Sequence, residues 1–300
     1  MQFAIAGAVQ SLIVVTPVFR VVTWNLAARS GRVKLQAAAL LEREPDVVTL
    51  QEVKSTSVAS LLDELAAGGL HHALVATPDE AAKDKSRQTC VVIASRFPLE
   101  RLASFALTWR EKALGARIRL ADRTVDVFTV HMPPGANHGW FKVECFQAVY
   151  AAFATPCSHA RVLTGDFNSP IAELPTGQVM CSGMRLTRDG RWIGQRARKG
   201  KDGQQWADGE NLVFTGLRDH DLHDVFRRVH GWELAEFSIE MRWRSTVTRR
   251  RFDHIFASHA LQPVSCAYLH ALRTSGLSDH SALEATFIAS NSPTPVRPSH

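Results

Sequence analysis

The chain holds 300 residues, of which 45% are hydrophobic and 21% charged, with a formal net charge of +6 at pH 7. This composition excludes an intrinsically disordered polymer, supports a sizeable core in one large domain or two small ones, and admits an anionic partner. The cysteines Cys90, Cys145, Cys157, Cys181 and Cys266 are odd in number with no Cys-x-x-Cys pair, which speaks against a disulfide framework or cysteine zinc site and for free thiols in a reducing compartment.

In chain order, residues 1–19, "MQFAIAGAVQSLIVVTPVF", are apolar, lack Lys and Arg, and are interrupted at Gln10, Ser11 and Pro17. A secretory signal opens with positive charge and a membrane span needs a longer clean run, so an extension or an extra packed strand is expected. A cytoplasmic location without stable membrane association follows as the expectation, with secretion through the apolar start as the alternative. "RVVTWNL" (Arg20 to Leu26) predicts a strand, and "GRVKLQAAALLEREP" a helix with Val33, Ala37, Leu40 and Leu41 on one face. "DVVTLQEV" predicts a buried strand, "SVASLLDELAAGG" a helix stopped at Gly68 or Gly69, and "HHALVAT" and "TCVVIAS" two further strands. "ARIRLADRTVDVFTVHM" predicts a hairpin, "HGWFKVECFQAVYAAFA" an amphipathic helix, and "ARVLTGDF" a strand. From Ile171 to Asn211 the chain is Gly-rich, charged and aperiodic, the pattern of a long loop that is functional or disordered. "LRDHDLHDVFRRVHG" predicts a helix, and "RRRFDHIFAS", "VSCAYLHAL" and "SALEATFIA" the closing strands. The expected organisation is one domain over residues 20–288, with a disordered Pro/Ser tail at 289–300 and a monomeric chain. Strands mixed with helices outside a regular βαβ rhythm suggest an α/β fold, a two-sheet sandwich flanked by helices.

The strand ends share one chemistry. The first strand ends at Asn25, the second at Glu52, the hairpin at His131, and "VLTGDFNSP" at Asp166 and Asn168; a later strand opens with Asp253, and the last is preceded by Asp279 and His280. Each alone is an ordinary polar strand end. Converging in space, they form an acidic, His-bearing pocket suited to phosphoester hydrolysis. A hard divalent ion takes carboxylates, water and phosphate oxygens, a role that suits Glu52. An Asp beside it positions or deprotonates water, and an amide such as Asn168 holds that water. A His backed by an Asp donates a charge-assisted hydrogen bond to phosphate.

The motifs "TWNL", "DVVTLQEVK", "TVHMPPG", "LTGDFNSP", "RRRFDHIFAS" and "GLSDHSALEATF" resemble, in order and spacing, those of the endonuclease/exonuclease/phosphatase superfamily over roughly Arg20 to Ile288. The resemblance implies a four-layer α/β sandwich, two mixed β-sheets face to face with helices outside. It implies that Glu52 binds Mg²⁺ or Mn²⁺ with Asn25 in support, and that Asp279 is a further carboxylate on the metal side. Asp166 would orient or activate water, Asn168 would help hold water and phosphate, and His280, oriented by Asp253, would contact the scissile phosphate. The general base, Asp166 or His280, stays open at this point. His131 stands where the exonuclease III and abasic-site branch usually has Tyr and where deoxyribonuclease-type and many phosphatase-type members have His. "DLHDVFRRVHG" and "RRRFDHIFAS" resemble the exonuclease III branch instead.

Two basic clusters bear on substrate: Arg196, Arg198, Lys199 and Lys201, and Arg242, Arg244, Arg249, Arg250 and Arg251. They suit phosphate contacts, with Trp192, Trp206 or Trp243 available to stack on a base; ordinary solvated loops are the competing explanation. The expected function is a divalent-metal-dependent phosphodiesterase, a DNA endonuclease or exonuclease. The alternatives are hydrolysis of inositol phosphates, phospholipids or another small phosphate ester, and a catalytically silent binding scaffold. Trp24 is expected in the core, His71 and His72 on the surface, and His220 and His223 with Asp219, Asp221 and Asp224 at a solvated helix start.

Overall fold

The computed structural model describes residues 18–77, 83–103, 106–121, 123–196 and 201–288. The expectations for residues 1–17 and for the tail lie outside this range. In chain order the strands of the two large sheets are β1 (Val18–Asn25), β2 (Val47–Lys54), β3 (His72–Val75), β4 (Thr89–Ser95), β5 (Leu99–Arg101), β6 (Ala113–Arg119), β7 (Thr124–His131) and β8 (Ala160–Asp166). His223–Asp224, Asp253–Ala257, Gln262–Leu269 and Ala282–Ile288 complete them.

One six-stranded sheet runs in the order Gln262–Leu269, Ala282–Ile288, β1, β2, β4, β3, and the other His223–Asp224, Asp253–Ala257, β8, β7, β6, β5. Each has one parallel pair at its centre, β1 with β2 and β7 with β8; the flanking pairs are antiparallel. A parallel pair needs a crossover, supplied by the helix Val33–Leu41 in one sheet and by Phe141–Ala154 in the other. Strands covered on both faces become near-continuous apolar runs, and β4 is buried at every position. The inner faces meet through Val21, Val47, Ile93, Val127 and Ile255, and also through polar contacts: Thr164 Oγ1 donates to Thr49 Oγ1 at 2.8 Å, and Gln51 Nε2 to Thr129 Oγ1 at 2.9 Å. Helices lie outside each sheet, which gives the α/β sandwich that the motifs imply.

Departures from the sequence reading have local causes. β1 opens at Val18, inside the expected extension, because Val18 and Phe19 pair with Ile288 and Phe287 and Phe19 is buried. The stretch expected as a loop over 171–211 contains short ribbons and the helix Gly203–Phe214, which buries Trp206, Ala207, Val213 and Phe214 against Phe141–Ala154. Gly209 hides that helix from a propensity reading, yet it is what lets the helices meet: a Cβ there would stand 2.3 Å from Val143 Cγ1. The segment expected as a helix around 217–231 is interrupted by Asp221, at φ 59°, and resumes at Val225–His230, whose first turn Asp224 caps through the Arg227 amide at 3.0 Å. Asp224 is thereby buried, unlike the solvated helix start expected. Ile239–Trp243 and Thr246–Arg250 form a hairpin that the basic run masks. No helix among the described residues is long and apolar enough to cross a membrane.

Candidate active site

Topology brings the polar strand ends together. In a parallel pair both C-terminal ends lie at the same edge: β1 and β2 deliver Asn25 and Glu52, and β7 and β8 deliver His131 and Asp166, which are register partners. Asp253 opens an antiparallel strand opposite Asp166, and His280 precedes the antiparallel partner of β1. Two local distortions aim the side chains. Glu52 sits at φ 53° where the β2–β4 register slips between Leu50 and Val53; the bulge turns Gln51 into the core and Glu52 outward. Gly165, at φ 139°, lets β8 approach Val130, whose carbonyl oxygen would stand 1.9 Å from any Cβ there.

The side chains form a continuous chain of contacts. Asn25 Nδ2 donates to Asp166 Oδ2 at 2.9 Å and to Glu52 Oε1 at 3.2 Å, while its Oδ1 accepts from Ala27 N. His131 Nε2 lies 3.6 Å from Glu52 Oε1 and 3.7 Å from Asp166 Oδ2. His280 Nδ1 lies 2.7 Å from Asp253 Oδ2, and its Nε2 faces Asp166 Oδ2 at 3.9 Å. Asn168, at φ 50°, donates its backbone N–H to Asp166 Oδ1 at 2.8 Å and its side-chain amide to the Met132 carbonyl at 2.8 Å.

Burial raises the Asp166 carboxyl to about 7; His280 opposes the rise and Asp253 adds to it. Burial pulls His280 down, but Asp253 and then Asp166 outweigh it and raise the imidazole to about 10. Burial, with the cations of Lys112 and His280 nearby, holds His131 well below its ordinary value, so it is neutral. The two histidines therefore differ in charge at neutral pH, although both are buried.

Glu52, His131 and Asp166 each bring one ligand atom within 4.8 Å of the others, and Asp166, Asp253 and His280 do the same. Carboxylate oxygens dominate this donor set, and the buried Oδ1 of Asp253 and Nδ1 of His131 have no hydrogen-bond partner among the described residues. The set fits a hard divalent cation at Glu52 and Asp166.

Supporting residues escaped the sequence reading. Lys142 and Glu210 form an ion pair at 3.2 Å with both side chains fully buried. Lys142 Nζ donates to the Asn168 carbonyl at 2.7 Å, and Glu210 accepts from Ser169 Oγ and from Trp206 Nε1. Ser278 Oγ donates to the Asn25 carbonyl at 2.6 Å and accepts from His280 N at 3.1 Å; Trp24 Nε1 donates to the His280 carbonyl at 2.9 Å. "TWNL" and "GLSDHS" thus interlock, and Trp24 is fully buried as expected. Ser278 lies within a quoted motif and was open to notice there; Lys142 resembles any surface lysine of an amphipathic helix.

Other candidates fall elsewhere. Asp279 is exposed and belongs to neither ligand group. Arg251 is a correction: its guanidinium is buried, gripped by Asp224 at 2.6 Å and Glu173 at 2.5 Å, so it has no surface to offer a phosphate. Trp206 is likewise buried and cannot stack on a substrate base. Arg198 and Lys199 lie outside the described residues. Lys201 is exposed, with Nζ 5.1 Å from the Trp140 ring. Arg249 is exposed and bridges to Glu240 at 3.1 Å. Arg250 is half-buried without a carboxylate partner among the described residues, and burial depresses its guanidinium. Arg249 and Arg250 line a cavity of about 330 Å³ with Phe237 and Pro170, the latter two positions beyond Asn168.

Comparison with known proteins agrees with this geometry. A sequence profile of the Endonuclease/Exonuclease/phosphatase family matches residues 22–280. No curated protein matches the sequence. Among solved structures, an AP endonuclease from Archaeoglobus fulgidus superposes with a TM-score of 0.63 at 19% identity, covering 90% of this chain and 99% of that one. The 3′ phosphatase NExo from Neisseria, bound to a product DNA hairpin, gives 0.63 at 21%, covering 90% and 99%. D. rerio TDP2 complexed with single-strand DNA product gives 0.61 at 17%, covering 90% and 98%. At these identities the structures establish the fold. The matched span runs from β1 to His280 and takes in the strand ends assembled above, and on that ground the chain belongs to the endonuclease/exonuclease/phosphatase family, whose members hydrolyse phosphate esters.

Proposed function

We infer that the chain is a divalent-metal-dependent phosphodiesterase acting on DNA, with Mg²⁺ or Mn²⁺ held by Glu52 and Asp166. The observation that carries this reading is the unbroken line of contacts Asp253–His280–Asp166–Asn25–Glu52 at one edge of the sandwich. The cation supplies charge neutralisation on the phosphate oxygens. Asn25, donating to both carboxylates, keeps them a fixed distance apart. Asp166 takes the proton of the attacking water, whose oxygen bonds to phosphorus as the phosphorus–oxygen bond to the leaving group breaks. His280 keeps its proton because Asp253 backs it, and it therefore serves as a charged donor to phosphate and not as the base. His131, neutral, offers an N–H to a reacting oxygen. Asn168, pinned by Met132 and Lys142, holds water or phosphate alongside Asp166.

DNA as substrate is supported by the net charge of +6, by the half-buried Arg250 beside the site, and by the DNA bound in the TDP2 and NExo structures. The test is a panel of plasmid, abasic duplex, single strand, 3′-phosphate end and inositol phosphates, each with Mg²⁺, Mn²⁺ or EDTA. Metal-dependent cleavage of a DNA substrate, lost in Asp166→Asn, is expected. Turnover of inositol phosphates with all DNA left intact would replace DNA by a small phosphate ester.

A further inference from the structure

A second constellation of metal-ligating side chains lies at the far end of the strand that begins with Asp253. His223 pairs in register with Ala257, and His259 follows two residues beyond that partner. Asp221 stands at the tip of the preceding turn in the left-handed conformation, at φ 59°. Its Oδ1 accepts from His259 N at 3.0 Å, lies 2.9 Å from His259 Nδ1, and lies 3.8 Å from His223 Nε2. The two imidazoles are in contact, with ring centroids 3.9 Å apart at 64°. One donor atom from each of the three residues lies within 4.8 Å of the others.

We propose that Asp221, His223 and His259 form a binding site for a borderline transition-metal ion, Zn²⁺ above all, separate from the catalytic centre. Two imidazole nitrogens with one carboxylate suit Zn²⁺ and not Mg²⁺, which prefers oxygen. Tetrahedral zinc with bonds of about 2.0–2.1 Å sets its ligand atoms about 3.3 Å apart, so side-chain rotation alone closes the triad. The backbone beneath is fixed: Leu222 is fully buried, and His223 and Asp224 are hydrogen-bonded to the sheet edge. Cations near the site are Arg218, which lies over the Trp232 ring, Arg228, which donates to the Ser258 and Leu261 carbonyls, and Arg161, which donates to the His220 carbonyl. Asp221 and His259 are more than half exposed, so an ion enters from solvent and water completes its shell. Such an ion would clip the Asp221 turn to the turn after the Asp253–Ala257 strand.

The test is calorimetric titration of the full EDTA-stripped chain with ZnCl₂, for wild type, His259→Ala, His223→Ala/His259→Ala and the catalytic-site variant Glu52→Gln. Wild type and Glu52→Gln should show a common zinc site that the double variant loses. His259→Ala should weaken it more than about 100-fold, since even outer partners of a ligand are worth 10–100-fold. Millimolar Mg²⁺ should not displace the zinc, and His259→Ala, whose side chain is exposed, should cleave substrate with Mg²⁺ as wild type does. A zinc isotherm unchanged by His259→Ala and by the double variant would overturn the site. Zinc binding that disappears only in Glu52→Gln would do so equally, by placing the ion at the catalytic centre.

Discussion

The 2.7 Å contact between Asp253 Oδ2 and His280 Nδ1 lies where neither side chain has appreciable exposure, so carboxylates and not water stabilise the imidazolium, Asp253 first and Asp166 after it. Asp253→Asn keeps the shape and a hydrogen-bonding atom but removes the charge. The His280 imidazole then falls from about 10 toward its ordinary value, because the largest influence opposing burial is gone. A donor that has lost its charge stabilises a developing phosphate charge less, and kcat is expected to drop by about 10²–10⁴-fold. KM should move little, since Asp253 itself touches no substrate. Steady-state kinetics that separate kcat from KM provide the measurement. A change confined to KM would mean that His280 acts in binding alone. Glu52 gives a second expectation: Glu52→Gln removes a carboxylate from the cation site but leaves the Asn25–Asp166 contact, so activity should fall sharply and recover in part with rising Mn²⁺, as read from metal titrations of the rate.

The loop that carries Asp166 and Asn168 owes its position to two helices, and only one of them was legible. Alternation and helical spacing exposed β1, β2, the hairpin and Phe141–Ala154, because each presents a clean apolar face over enough residues to set a period. Phe167 also obeyed alternation: it turns inward among Phe146, Phe214 and Phe256 while Asp166 and Asn168 turn to the site. The Gly203–Phe214 helix stayed hidden because Gly203 and Gly209 lower its propensity and because its buried face includes the charged Glu210. A buried ion pair has no sequence signature, since Lys142 and Glu210 each look solvated until tertiary packing joins them. The pair still has a measurable consequence. Lys142→Met leaves the Glu210 carboxylate buried without its cation and should cost about 3–5 kcal/mol, read as a lower urea midpoint at unchanged slope. It also frees the Asn168 carbonyl, so the folded variant should show a reduced kcat at low denaturant. Full activity with lost stability would restrict Lys142 to the core.

At the scale of the whole molecule, the run "RRRFD" conceals a buried charge cluster outside the site. Arg251 reaches Asp224, 27 residues away, and Glu173, 78 residues away, and Arg227 also binds Glu173 at 2.8 Å. These contacts tie the Ala172–Glu173 ribbon, the Val225–His230 helix and the Asp253 strand into one body. Sequence shows three adjacent arginines; only the fold decides that Arg249 and Arg250 line a cavity, the first also exposed beside Glu240, and that Arg251 meets two carboxylates. Burial pushes Glu173 upward, but Arg251 and Arg227 outweigh it and hold the carboxyl at about 2; Asp224 is depressed in the same way by Arg251 and His254. A folded-state value below the unfolded one gives stability that is complete above the ordinary carboxylate range and lost as pH falls through the folded value. Wild type should therefore lose stability progressively from about pH 4.5, the ordinary Glu value, to about pH 2. In Arg251→Met, Glu173 keeps Arg227 and Asp224 keeps His254, but both lose the largest charge that opposes burial, so their folded values rise and the variant should be less stable by about 3–5 kcal/mol at pH 7. Less of its stability then depends on ionised carboxylates, so the deficit should shrink on acidification. Urea unfolding of both proteins from pH 7 to pH 3 gives two curves that converge toward low pH. Parallel curves would show that the cluster fixes the strands by packing and not by charge.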